Sequence, residues 1–108
     1  MVAKAAAPIS EHIKIELPPE LASDRQHREL GAFARYCIHR LERDLGSKGA
    51  WVVTITASKR GFASHVRVRH LGADLEEQSA GQDGALATWY AMCRLEQRMR
   101  ERTALPFG

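Results

Sequence analysis

The side chains with the types and spacing to act together are cationic. Arg94, Arg98 and Arg102 stand at i, i+4 and i+8, which on a helix stacks them along one side. Arg28, Arg35, His39 and Arg43 fall within about 80° of one another at 100° per residue and form a second ridge. Arg100, and Lys59 with Arg60, extend the set. A guanidinium offers five fixed donors and meets phosphate oxygens well, so such ridges are what a polyanion would need. Tyr36 and Tyr90 fall on the polar faces, where they could stack on bases or ribose. Glu42, Asp44 and Glu101 lie close by, so each ridge taken alone fits a solvated, ion-paired face equally well.

Other chemistries find less support. The histidines are His12, His27, His39, His65 and His70, and no pair has the i, i+4 spacing of a zinc helix. His65 and His70 are an odd number of residues apart and face opposite sides of a strand. Ser64 before His65 lacks the Gly-x-Ser-x-Gly elbow, and Ser58 sits in a basic turn with no carboxylate to orient a base. Glu76 and Glu77, adjacent on a strand, point apart and make a poor acid and base pair. Gly46-Ser47-Lys48-Gly49 has the letters of an RNA-clamping Gly-x-x-Gly loop, but that loop joins two helices, and here a strand follows at once. Neither a metal, nor a cofactor, nor a small-molecule substrate is expected, and the protein is read as not an enzyme.

Positioning elements follow from length and periodicity. A chain of 108 residues with 44% hydrophobic and 27% charged residues supports one core in one globular domain. No apolar run is long enough to span a bilayer, and the opening Met1 to Pro8 lacks the apolar stretch of a secretory signal. Residues 1–10 are read as a flexible arm, 11–104 as the domain and 105–108 as a short tail. Cys37 and Cys93, far apart in sequence, are expected to be reduced and packed. The formal charge is only +3, but it is sorted: residues 59–70 hold four Lys or Arg and no carboxylate, while Asp74, Glu76 and Glu77 follow, a footprint of an anionic partner.

Residues 12–17 alternate as a strand and end at Pro18-Pro19. From Ser23 the apolar residues Leu30, Ala34, Cys37, Ile38, Leu41 and Leu45 recur at helical spacing up to Gly46. Trp51 to Thr56 and Phe62 to Leu71 read as strands around a turn at Ser58–Gly61. A turn at Gly72-Ala73-Asp74 and a short edge strand, Leu75 to Ser79, come next. The last helix runs from near Asp83 to about Thr103 with Ala85, Thr88, Met92, Leu95 and Met99 on its core face and Trp89 beside it. The order β-α-β-β-β-α predicts an α+β domain: a four-stranded sheet with both helices on one face, which would set the two basic ridges side by side.

These residues resemble the family of ribosome hibernation-promoting factors and ribosome-associated translation inhibitors, in its short form. The resemblance runs from about His12 to Arg102. It rests on Arg40-Leu41-Glu42-Arg43 ending the first helix, Asp83 opening the last, and Arg94-Leu95-Glu96-Gln97-Arg98 within it. It implies a fold similar to double-stranded RNA-binding domains, binding to small-subunit rRNA in the channel for messenger and transfer RNA, and a bacterial, cytoplasmic stress factor that blocks translation by occupancy. Basic residues at matching positions are Arg43, Lys59, Arg60, Arg94, Arg98, Arg100 and Arg102. The sequence departs from the family's pattern at Pro18 to Leu21, in the short Ser58–Gly61 turn, and at Gly84-Ala85. The chain stops at Gly108, so the extra domain through which long members dimerise is not expected. The expected site is therefore Arg28, Arg35, Arg43, Lys59, Arg60, Arg94, Arg98, Arg100 and Arg102, with rRNA as partner and no membrane. The alternative is a protein-interaction module of the same fold, using the open sheet face around Arg67 and Arg69.

Overall fold

The computed structural model describes residues 12–21 and 23–104. The arm expected at 1–10 and the tail expected at 105–108 lie outside the described residues. The elements are β1 (Ile13–Glu16), α1 (Asp24–Leu45), β2 (Ala50–Ser58), β3 (Gly61–His70), β4 (Ala73–Gly81) and α2 (Gly84–Ala104). They form an α+β domain with one sheet in the order β1-β2-β3-β4. β1 is parallel to β2, and the remaining pairs are antiparallel.

Period-two burial fixes which sheet face the helices cover. Trp51, Val53 and Ile55 on β2 and Val66 and Val68 on β3 are buried, and they pack with Leu30, Ile38 and Leu41 of α1 and Met92, Leu95 and Met99 of α2. Alternate residues face the other way, so both helices lie on one face of the sheet. One polar pair sits in this core: Thr88 Oγ1 donates to Ser64 Oγ at 3.0 Å, both residues fully buried. The contact satisfies both hydroxyls and ties α2 to β3.

Caps set the helix ends. Ser23 Oγ accepts from Gln26 N at 3.2 Å, and Gly46, at φ +73°, donates its N–H to the Glu42 carbonyl to close α1, so Gly46 is a helix stop rather than part of an RNA clamp. Asp83 Oδ1 accepts from Leu86 N at 2.8 Å and caps α2.

β4 is longer than its sequence suggests, covering nine residues rather than Leu75 to Ser79. The turn before it is Leu71-Gly72 alone, both with positive φ (52° and 79°), the backbone of a type I′ hairpin turn whose twist matches its strands. Pairing therefore starts at His70 opposite Ala73 and continues to Phe62 opposite Gly81. The edge strand legible at Leu75 to Ser79 thus extends at both ends, where Ala73, Asp74, Ala80 and Gly81 carry no strand pattern.

Candidate nucleic-acid interface

The two basic ridges differ in what their side chains meet. Arg28, Arg35, His39 and Arg43 are exposed on α1, roughly opposite its buried stripe of Leu30, Ala34, Cys37 and Leu41. Among the described residues Arg28 and Arg35 have no carboxylate partner, and Arg43 meets Asp44 only at 3.6 Å with a largely exposed side chain. This flank is free to neutralise an anion without first breaking an internal pair.

On α2, Arg94, Arg98 and Arg102 lean over the edge of the sheet. Arg94 donates to the Gln78 carbonyl at 3.0 Å, Arg98 to the Glu76 carbonyl at 2.8 Å and to Glu77 Oε2 at 2.9 Å, and Arg102 to the Leu71 carbonyl at 3.3 Å. An edge strand leaves alternate carbonyls unpaired; Arg94 and Arg98 meet two of them on β4, and Arg102, one helical turn on, meets the carbonyl in the turn before it. The i, i+4, i+8 spacing thus has a structural use that sequence alone does not separate from phosphate binding. Each guanidinium keeps further donors.

Between the flanks runs the seam where α1 meets α2. Arg40, at the resemblance motif but absent from the expected site, binds Glu96 of α2 at 3.3 Å and Asp44 at 3.4 Å. Its guanidinium lies 5.5 Å from the centroid of the Trp89 ring, and Phe33 meets Trp89 at 6.3 Å between centroids, tilted by 44°. Arg100 is bound to Glu96 at 2.7 Å. The carboxylates of the seam are thereby neutralised from within. The spacing of Arg40 and Asp44 is readable in sequence; the contacts to Glu96 and Trp89, 56 and 49 residues on, are not.

At the end where α1 stops, Glu42 is buried instead of joining the surface. Its Oε2 accepts from Gly49 N at 3.0 Å and Trp51 Nε1 at 2.9 Å, and Oε1 lies 3.2 Å from His12 Nε2. Burial alone would raise its pKa; the bonds from Gly49, Trp51 and His12 outweigh it and hold the carboxyl below its usual range. Fully buried His70 contacts Ser47 Oγ at 2.7 Å through Nε2. Burial, with the Arg102 charge adding and Glu42 opposing, lowers its pKa.

Lys59 and Arg60 are exposed in the β2–β3 turn, at the end of the sheet where α1 and α2 begin. The open face of the sheet is balanced in charge. His65 meets Glu76 at 3.1 Å, Arg69 meets Asp74 at 2.9 Å and Lys14 meets Glu16 at 3.6 Å. The cysteines part company: Cys37 is buried as expected, whereas Cys93 is exposed, because it lies on the seam side of α2, five residues beyond the buried Thr88. Among the described residues no cluster of three His, Cys, Asp or Glu could hold a metal ion, and no helix is long and apolar enough to cross a membrane.

No family model and no curated relative matches the sequence. Solved structures match the fold. The N-terminal domain of Thermus thermophilus protein Y superposes with a TM-score of 0.67 at 17% identity, covering 83% of this chain and 97% of that one. A ribosomal subunit interface protein from Coxiella burnetii superposes with a TM-score of 0.65 at 18% identity, covering 86% and 98%. The chain shares their fold. At these identities, side chains and not superposition must carry any argument about the site.

Proposed function

We propose that this chain is a ribosome-binding factor that holds the small subunit inactive by occupying rRNA in the messenger and transfer RNA channel, in the cytoplasm of a bacterium under stress. The observation that carries the reading is the exposed ridge of Arg28, Arg35 and Arg43 on α1, in which Arg28 and Arg35 have no carboxylate partner among the described residues, together with the line of Arg94, Arg98 and Arg102 on α2. Two lines of arginine suit two tracks of phosphate, and Arg100 stands beside the second. Lys59 and Arg60 extend the contact at one end. The fold it has in common with a ribosomal subunit interface protein, and the Arg40–Arg43 and Arg94–Arg98 segments, support the same partner. Action is by occupancy, with no cofactor and no turnover, by a single domain spanning 11–104.

The open sheet face is the weaker surface for a partner, since its charges are largely paired with one another. The test is co-sedimentation with small subunits in low salt, alongside inhibition of a translation reaction. Binding and inhibition should rise together. Sedimentation with no inhibition would remove the channel from the account, and no sedimentation would remove the ribosome.

A further inference from the structure

The seam between the helices has a chemistry that phosphate binding does not use. Trp89 is 37% exposed. An indole held in place with part of its ring open offers a π-face on which a base can stack. Here Phe33 props Trp89 from α1, and Arg40 fixes it by a cation–π contact while being held itself by Asp44 and Glu96. The indole is thus supported on a rigid base with part of its surface open. Because Arg40 and Arg100 neutralise Glu96, no unpaired carboxylate of theirs repels an approaching strand.

A neutral aromatic strip between two cationic flanks is the charge pattern of a single strand, whose phosphates lie outside and whose bases can turn inward. A duplex presents phosphates and sugars outward and hides base faces, so it would leave the strip unused. We infer that Trp89 at the seam is a stacking site for an unpaired RNA base, so that the helical face selects single-stranded or looped rRNA over helical rRNA. The inference rests on the ribosome-binding reading above and adds the form of RNA that the face accepts.

Fluorescence tests it directly in the full chain. The two tryptophans differ, Trp51 being buried and Trp89 partly exposed, and Trp89→Phe leaves Trp51 as the sole indole, so the wild-type minus variant signal reports Trp89. The probes are a ten-nucleotide single-stranded RNA, its duplex, and inorganic polyphosphate of similar charge, with affinity measured separately by anisotropy of labelled RNA. The single strand should change Trp89 emission, while duplex and polyphosphate bind with little change. Trp89→Ala, checked for native circular dichroism and thermal unfolding, should weaken single-strand binding by about 5- to 150-fold, which corresponds to the roughly 1–3 kcal/mol contributed by one stacked base, while Trp89→Phe retains most of the affinity. Unchanged single-strand affinity in Trp89→Ala with no emission response in the wild type overturns the stacking site and leaves the phosphate reading standing. A response to intact small subunits but to no naked RNA also overturns it, since the seam would then meet protein. Failure of the wild type to bind RNA or subunits at all overturns both readings.

Discussion

The indole Nε1 of Trp51 donates to the carboxylate of Glu42 at 2.9 Å inside the domain. A charge in that position is tolerated because Gly49 N and His12 also address it, and the arrangement ties the end of α1 to the start of β2. Removing one partner of such a cluster strands the others. Glu42→Ala should cost about 2–4 kcal/mol by denaturant unfolding, since two buried donors lose their acceptor. Because the folded carboxyl is held low, its contribution is present above the ordinary carboxylate pKa of roughly 4.3 and is lost as pH falls through the folded value. A loss under about 0.5 kcal/mol, the size of ordinary surface changes, would show that Glu42 is solvated.

His70 works in a different pH window and with the same sign. The fold keeps it neutral, while the unfolded imidazole takes a proton near pH 6.5, about the model value. Between that value and the lowered folded one the unfolded state binds more protons, so stability falls on acidification. Wild-type protein should lose more thermal stability between pH 7.5 and 5.5 than His70→Gln. Equal losses would assign the effect to the other histidines.

The thiols separate by burial. Cys37 is pushed up to about 11 by burial, against the Arg40 charge and with a smaller push from Cys93, and should resist labelling until the chain unfolds. Cys93 is exposed and should react at once with an aromatic disulfide. One fast thiol, abolished by Cys93→Ser, is the expected titration; two fast thiols or none would contradict the packing of α1 against α2.

The pattern of apolar residues was enough to place both helices, three of the strands and the covered sheet face, because helical and strand periodicity survive in Leu30 to Leu45, Trp51 to Ile55 and Met92 to Met99. It placed β4 as an edge strand but gave only Leu75 to Ser79 of its nine residues. Gln78, Ser79 and Ala80 carry no strand preference, and their pairing is imposed by the Leu71-Gly72 turn and the β3 partner. Expected site residues fell on the surface, but their grouping was not legible. A helical wheel shows that Arg94, Arg98 and Arg102 share a side and does not show which neighbour that side meets, and the neighbour is the edge of β4. Nor does it show that Glu42, written among surface charges, turns inward toward Trp51. Gly84 is a departure with a visible consequence: a Cβ there would stand 2.7 Å from a methyl of Leu30, so a larger residue would have to push that side chain aside where α2 starts against α1.

If arginines of the helical face neutralise rRNA phosphates, salt dependence of binding measures it directly. Each phosphate neutralised releases counterions, so with about four to six contacts, log K for small-subunit binding against log salt should slope at roughly −3 to −5. Arg28→Ala combined with Arg35→Ala removes cations that have no carboxylate partner among the described residues and should flatten the slope by between about one and two units with the fold intact. Arg94→Ala with Arg98→Ala should flatten it too while loosening the β4 edge. A wild-type slope near zero, or a slope that neither double variant alters, would contradict that neutralisation and turn attention to Arg67 and Arg69 on the open sheet face.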